Sequence, residues 1–148
     1  RDQVGVARLV GHVTQRHVDA DQAEQKIDAF AESQTTADRN AALTAVFAGI
    51  WEILNEKRQY MIERIKEFTR QQNARANRIE NMLLELEVIS SDSSPASGAK
   101  IAKFRQDLAL EVRIFEDREK SIVYLCELPV KVGGKIGVLA RAISAQLN

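Results

Sequence analysis

The chain has 148 residues, 45% of them apolar, and its 21 basic and 21 acidic side chains give a formal net charge of zero. These values predict one domain, residues 1–148, with enough apolar side chains for a packed core. The single cysteine, Cys126, excludes an intramolecular disulfide, and no apolar run reaches the roughly 18 residues that a transmembrane helix needs.

The composition favours helices. Aromatic residues make up 5% of the chain, and there are only two prolines and seven glycines. Unbranched side chains, which lose little freedom in a helix, predominate, and no stretch alternates β-branched or aromatic residues with polar ones. The sequence therefore predicts an all-α fold.

The first predicted helix spans residues 4–33. Its apolar positions, such as Val10 and Ile27, lie near one face, but this stripe is thin and rich in small residues. Gly5 and Gly11 each cost about 1 kcal/mol of helix stability relative to alanine. We therefore expect this helix to depend on close packing against a neighbour.

The longest predicted helix spans residues 38–89, and the rest of the chain is organised around it. A polar turn at residues 33–38 supplies N-cap residues and makes the first two helices antiparallel neighbours. At about 1.5 Å per residue, the long helix extends roughly 78 Å, so an elongated molecule is expected. Its heptad-like positions are Leu43, Phe47, Ile50, Leu54, Lys57, Met61, Ile65, Phe68, Gln72, Arg75, Ile79, Met82, Leu86 and Ile89.

One irregular step interrupts this spacing. Between Met61 and Ile65 the step is four residues where the alternation requires three. Such an insertion relaxes the left-handed supercoil locally. We expect a straight segment, or a change of packing partner, near Met61.

Two further helices follow a serine-rich loop at residues 90–98. The third predicted helix spans residues 99–128. Pro129 removes one backbone hydrogen bond and crowds the preceding turn, so a kink or a break is expected there. An amphipathic helix over residues 130–147 completes the chain, and its pattern leaves open whether it packs on the bundle.

The third helix is expected to fold back along the second half of the long helix. A hairpin about the serine-rich loop places Gln72 near Glu116, and Arg75 near Val112 or Arg113. The predicted architecture is an elongated antiparallel helical bundle, or a set of coiled-coil hairpins around one long central helix, with a kinked C-terminal helix.

Charge is distributed in blocks although the net charge is zero. Residues 57–78 contain seven basic and two acidic residues, and the part of the third helix expected to lie opposite is rich in acids. Opposed blocks on antiparallel helices set the register of the pair, which is a sufficient structural reason for both. The alternative is that the basic block binds nucleic acid or anionic lipid.

No catalytic motif or cofactor fingerprint is recognisable. His12 and His17 are five residues apart, whereas metal-binding pairs on a helix are three or four apart. We expect His17 to be a partly buried helix residue. Cys126 stands near Leu125 and Leu128 with no histidine close in sequence, so it is expected to be a buried core residue. The sequence predicts a non-enzymatic protein with no cofactor and no metal.

The function predicted from these features is that of a helical interaction or scaffold module. It would associate with itself or dock a protein partner through coiled-coil seams. Polar positions on the seam, at Lys57, Gln72 and Arg75, would select register and partner at a cost in stability. Trp51 lies beside the apolar stripe, where its ring could cover the joint with the first helix or contact another subunit.

Three other readings are left open. The first is a membrane-surface protein that binds anionic lipid through its C-terminal helix. The residues involved would be Lys131, Lys135, Ile136, Leu139, Arg141 and Ile143. The second is nucleic-acid binding, which the scarcity of aromatic residues disfavours. The basic residues involved would be Lys57, Arg58, Arg70, Arg75 and Arg78. The third is a bundle enzyme or carrier, which requires a cofactor in the core.

The compartment is left undetermined by the sequence. A lone cysteine is typical of a reducing compartment such as the cytoplasm, which is slightly favoured, or of a secreted chain that has no disulfides. The chain begins at Arg1 and enters a helical pattern at once, so we expect an excised or processed piece of a longer protein.

Overall fold

The structure, a computed structural model, describes residues 2–92 and 94–147. Ser93, in the predicted loop, and the two terminal residues lie outside the described residues. The described part contains four helices and no strand, which confirms the all-α prediction. The helices are α1 (Asp2–Val13), α2 (Ala20–Ser33), α3 (Arg39–Ser90) and α4 (Ser97–Ala145).

The prediction of one helix over residues 4–33 is wrong, because the chain leaves the helical conformation between α1 and α2. Asp19 is the N-cap of α2, and its carboxylate accepts a hydrogen bond from the backbone N–H of Gln22 at 2.8 Å. The Gln22 side chain in turn accepts from the backbone N–H of Asp19 at 3.3 Å. This reciprocal capping box begins a new helix and so separates α2 from α1.

The predicted long helix, residues 38–89, corresponds to α3, which has 52 residues. The turn before it is closed by Thr35 and Asp38. The Thr35 hydroxyl donates to the Asp38 carboxylate at 2.6 Å, and the Asp38 carbonyl accepts from the N–H of Ala42 at 2.9 Å. The polar turn therefore starts the helix where N-cap residues were expected.

Of the kink or break expected at Pro129, the break is wrong, because α4 continues through this residue. The helices expected over residues 99–128 and 130–147 are parts of one 49-residue helix, with Pro129 inside it. Proline removes one hydrogen bond but does not have to end a helix whose side chains are packed. Pro129 is buried, and the residues after it contribute to the main core.

The chain divides into two compact units. Unit 1 comprises Arg1–Met61 and Glu127–Asn148, and unit 2 comprises Ile62–Cys126. The long helix α3 passes from one unit to the other directly after Met61. This is the place where the irregular heptad step predicts a change of packing partner.

Unit 1 has bundle-like packing around a core of aliphatic side chains. The core draws on α1, α2, the first part of α3 and the last part of α4, and its largest fully buried side chains include Ile27, Leu43, Ile50 and Leu139. Helices α1 and α3 approach closely at Gly49. A Cβ added there would lie 3.0 and 3.2 Å from the two γ-methyl groups of Val10.

Unit 2 is an antiparallel pair of helices, formed by the second part of α3 and the first part of α4. The connection is held by Asp92, whose carboxylate accepts from the backbone N–H of Ser94 at 3.0 Å. The buried hydroxyl of Ser97 donates to the carbonyl of Asp92 at 3.0 Å. These hydrogen bonds among Asp92, Ser94 and Ser97 link the end of α3 to the start of α4.

The close approach at Gly49 gives a testable difference between two glycines in helices. Gly134 is exposed and has no atom within 4 Å of an added Cβ, so Gly134→Ala should raise the free energy of unfolding by about 0.5–1 kcal/mol. Gly49→Ala should lower it, because the new methyl group clashes with Val10. Urea unfolding followed by circular dichroism measures both changes.

A Val10→Ala background is the control, because removing the γ-methyl groups should abolish the penalty of Gly49→Ala. If Gly49→Ala stabilises the chain as much as Gly134→Ala does, the close approach of α1 and α3 is not real.

Candidate interaction surface

The two helices of unit 2 meet along positions spaced by three and four residues, which we call the seam. On α3 the seam consists of Ile65, Phe68, Gln72, Arg75, Ile79, Met82, Leu86 and Ile89. On α4 it consists of Ile101, Phe104, Leu108, Glu111, Phe115, Arg118, Ile122 and Leu125. All sixteen side chains are buried or half-buried. Heptad spacing thus places one face of each helix against the other.

A polar layer at the middle of the seam is centred on Gln72, which is buried. Its amide nitrogen donates to the carbonyl of Phe115 at 3.2 Å and to the carboxylate of Glu119 at 3.0 Å. Its amide oxygen accepts from Nε of Arg118 at 3.0 Å. The buried amide is therefore hydrogen-bonded on both sides, as a polar group inside a seam must be if it is not to destabilise the pair.

Arg118 ties this layer to its surroundings. Its Nη2 atom donates to the side-chain oxygen of Gln71 at 3.0 Å, and its guanidinium carbon lies 4.5 Å from the ring centroid of Phe68. The guanidinium thus makes a cation–π contact on one side and hydrogen bonds at its edge. A charge at a seam position is tolerated here because all of these contacts satisfy it.

An ionic layer lies one turn further along α3. Arg75 donates to the carboxylate of Glu111, which is only 14% exposed, and Arg78 approaches the same carboxylate at 3.5 Å. Two cations on α3 therefore share one anion on α4. We call the Arg75–Glu111 ion pair and the hydrogen bonds of Gln72 the polar layers.

The register predicted for the hairpin agrees with the structure to within one helical turn. Gln72 was expected near Glu116 and meets Phe115 and Glu119. Arg75 was expected near Val112 or Arg113 and pairs instead with Glu111. The agreement follows from the position of the serine-rich loop, about which the hairpin folds, and the Arg75–Glu111 pair joins opposite charges in this register.

The polar seam position expected at Lys57 is wrong, because Lys57 is exposed and belongs to unit 1. Its ammonium group donates to the carbonyl of Thr14 at 3.4 Å. Lys135 on α4 donates to the carbonyls of Gln15 at 2.6 Å and Val18 at 2.9 Å. Two lysines thus hold the connection between α1 and α2, at the negative end of the α1 dipole.

The pKa of Lys135 is lowered from its ordinary value of 10.5 by burial, and then by the nearby positive charge of Lys57. A negative charge on Asp19 acts weakly in the other direction. Burial disfavours the charged form of a lysine because it removes water from the ammonium group. Lys135 therefore serves the packing of unit 1 rather than an exposed basic face.

The apolar face of the C-terminal segment is occupied by the core of unit 1. Ile136, Leu139 and Ile143 are buried there. The basic residues of the segment remain outside: Lys131 pairs with Glu127 at 3.5 Å, and Arg141 is exposed. The side chains that would insert into a membrane surface are thus packed against other helices.

Two cations of the basic block on α3 form ion pairs within the helix. Arg70 pairs with Glu67 at 2.8 Å, and Lys66 with Glu63 at 2.7 Å. A hydrogen bond from Lys66 lowers the pKa of Glu63, and hydrogen bonds from Arg70 and Gln71 lower the pKa of Glu67. These carboxylates therefore partly neutralise the block at its surface.

Three further residues lie at the surface of the chain. Trp51 is 50% exposed, as a residue that contacts another subunit has to be. The buried position expected for Cys126 is wrong, since this cysteine is free and exposed. His17, expected to be partly buried, is exposed because it lies in the non-helical connection between α1 and α2.

The apolar side chains of unit 2 are poorly covered. Among its described residues, Leu108 is the only buried apolar side chain, with 8% exposure. Six large apolar residues are at least half exposed, which we call the outer apolar residues. They are Leu83, Leu84 and Val88 on α3, and Leu110, Val123 and Tyr124 on α4. Sequence reasoning missed them because they lie off the heptad positions, although the adjacent pair Leu83–Leu84 is a visible signal.

Unit 1 has an open, mainly apolar groove of about 380 Å³. It lies between α1 and α3 and is lined by small aliphatic residues, including Val6, Ala41 and Ala45, with Asp38 at one end. The Asp38 carboxylate is already bound by Thr35. The lining is therefore mostly aliphatic, and its one carboxylate already accepts a hydrogen bond within the turn.

Residues 2–92 and 94–147 contain no group of three or more His, Cys, Asp or Glu side chains that could hold a metal ion. In the same part of the chain, no helix has both the length and the hydropathy needed to cross a bilayer. No family model, curated protein or solved structure matches the sequence or the fold of this chain.

The ionic layer predicts a measurable coupling between Arg75 and Glu111. In a double-mutant cycle with alanine at both positions, the two changes should be non-additive by about 1 kcal/mol or more. Glu111→Ala leaves the partly buried Arg75 unpaired, and Arg75→Ala leaves Glu111 with only the longer contact to the exposed Arg78. The free energy of unfolding in urea provides the measurement.

Lys103 and Asp107 on α4 form the matched control. They are 3.2 Å apart and well exposed, so their coupling should stay below about 0.5 kcal/mol. An Arg75–Glu111 coupling no larger than this control would mean that the ionic layer does not hold the hairpin.

Proposed function

We propose that this chain is a non-enzymatic helical interaction module. In this proposal unit 1 is a self-contained bundle, and unit 2 is a coiled-coil hairpin that binds a protein partner or another copy of the chain. The observation that carries the proposal is the contrast between the buried aliphatic core of unit 1 and the single buried apolar side chain in the described part of unit 2.

The energetic argument follows from this contrast. Helices of this kind gain most of their stability from packing an apolar face against other elements. Two helices cover only one side of each other, so the flanks of the seam remain in contact with water. Burying apolar surface contributes about 25 cal/mol per Å², and the six outer apolar residues offer such surface to a third helix.

The polar layers support a role in recognition rather than in raw stability. Gln72 and the Arg75–Glu111 pair occupy positions that aliphatic residues could fill with a gain in stability. A fully hydrogen-bonded polar layer instead favours one register over its neighbours. A hairpin with a fixed register presents its outer apolar residues in one fixed arrangement, which a specific partner requires.

The two alternative partners have less support. A membrane surface would require Ile136, Leu139 and Ile143, which are buried in unit 1. Nucleic acid would require a free basic face, whereas Arg75 and Arg78 contact Glu111 across the seam. A protein partner uses the surface that remains, which is apolar and lies on unit 2.

Site-specific cross-linking in extracts of the cells that make the chain tests this proposal. A photoreactive amino acid at Leu84 or Leu110, both exposed on unit 2, should yield discrete adducts with protein, because these side chains lie in the proposed contact. Gel electrophoresis and mass spectrometry identify the adducts, whether the second component is this chain or another.

The control carries the same photoreactive group at Gln25, an exposed position on α2 of unit 1. It should give no discrete adduct. Equal labelling from the control, or no adduct from either position of unit 2, would show that unit 2 is not a binding arm.

A further inference from the structure

The helices of unit 2 share an unusual charge distribution. In the α3 part, residues 62–78 contain five basic and two acidic residues, whereas residues 79–90 contain three acidic residues and no basic one. In the α4 part, residues 97–106 contain three basic residues and no acidic one, and residues 107–126 contain five acidic and three basic residues. Each helix therefore runs from a basic band to an acidic band.

Only part of this pattern is satisfied within one hairpin. The basic band of α3 meets the acidic band of α4 through Arg75, Arg78 and Glu111. Among the described residues, no ion-pair partner lies within 4 Å of the acidic band of α3, which consists of Glu80, Glu85 and Glu87. This band is therefore available to a cation from outside the hairpin.

The same band carries exposed apolar side chains. Four residues of the band lie on one side of α3, away from the seam, because they are separated by four, three and one residues. They are Glu80, Leu84, Glu87 and Val88. All four are exposed, and Val88 reaches 72%. Apolar area surrounded by uncompensated charge of one sign is typical of the centre and rim of a protein contact.

The basic band of α3 presents cations on the same side of the helix. Lys66 and Arg70 precede Glu80 and Leu84 by fourteen residues each, which is two heptads. Both cations are more than half exposed, and their ion pairs with Glu63 and Glu67 lie on the same helix. Exposed pairs of this kind are weak and can exchange partners. On the same side of α3, the exposed residues between Arg70 and Glu80 have short side chains, namely Asn73, Ala74 and Asn77.

We infer that the partner of unit 2 is a second copy of this chain, whose α3 lies antiparallel against this outer side of α3 across a two-fold axis near Asn77. This inference rests on the proposed function and names its partner. The two-fold axis brings the acidic band of each copy against the basic band of the other, so the complementary contact occurs twice.

The geometry also covers the apolar residues. With the axis at Asn77, Leu84 of one copy lies at the level of Arg70 of the other, and Val88 lies at the level of Lys66. The long stems of arginine and lysine can cover leucine and valine while their charged ends reach the glutamates on either side. The small residues at the axis allow the two helices to approach closely. A parallel arrangement would place like charges together and is disfavoured.

Sedimentation equilibrium of the full chain, at low and at high salt, tests the inference. The chain has a mass of 16.6 kDa and should sediment as a dimer of twice that mass. Its dissociation constant should rise about tenfold or more from 50 to 500 mM salt, because the charges at the rim are screened. A monomer at every concentration and salt would overturn the inference.

Two charge-reversed variants make the test specific. One variant carries Glu80→Lys with Glu87→Lys, and the other carries Lys66→Glu with Arg70→Glu. Each should weaken self-association at least about tenfold, because its two bands then have the same charge. An equimolar mixture should form a heterodimer close to wild-type strength, because each acidic band then meets a basic band again. Circular dichroism verifies that each variant is folded, and heterodimer formation on mixing excludes a folding defect as the cause of the loss.

The control reverses two exposed charges of unit 1, Glu24→Lys with Glu32→Lys, and should leave self-association unchanged. Variants that dimerise as well as the wild type, or that fail to recover on mixing, would overturn the inference. The inference can fail while the proposed function stands. If unit 2 cross-links to a different protein and the chain is monomeric, the interaction module is retained and only the second copy is excluded as its partner.

Discussion

Two helices packed side by side cannot enclose a core, and this constraint determines how unit 2 is built. Each helix shields one face of the other, so the sixteen seam positions are covered while the flanks stay open. Little apolar area is buried, and the register of the two helices is set by directional contacts: the hydrogen bonds of the buried amide of Gln72 and the Arg75–Glu111 ion pair. Such contacts select one register but contribute little net stability. The surface left over is therefore the natural place for a partner.

Unit 1 encloses a core because it has four helical segments where unit 2 has two. Its core residues, among them Ile27, Leu43 and Leu139, come from every helix of the chain and are shielded from water on all sides. The C-terminal part of α4 supplies one wall of this core, so its apolar face is structural. Lys135, with its lowered pKa, belongs to the same packing, since it holds the connection between α1 and α2. The two units thus differ in how much of their apolar surface is covered by their own helices.

The long helix, the hairpin register and the transition at Met61 could be predicted, because heptad spacing and opposed charges are properties of local sequence. Two helix boundaries could not. The pattern of apolar residues continues across Thr14–Asp19, whereas the capping box of Asp19 and Gln22 interrupts the helix there. The opposite happens at Pro129, where packing keeps the helix intact despite its local preference.

Exposure was the hardest property to predict, because a helical period gives the direction of a side chain but not what lies opposite. Cys126 and Lys57 were expected to be buried, and the outer apolar residues were not recognised at all. The division into a closed bundle and an open hairpin became visible only once the partners of each helix face were known.

The central claim is that unit 2 is incomplete by itself, and amide hydrogen exchange of the dilute chain tests it most directly. Opening free energies follow local burial, so amides of residues 65–89 and 101–125 should exchange at least about tenfold faster than those of Leu43, Val46 and Ile50 in unit 1. Equal protection of the two units in the dilute chain would contradict the claim, because it would mean that the hairpin is as stable alone as the bundle.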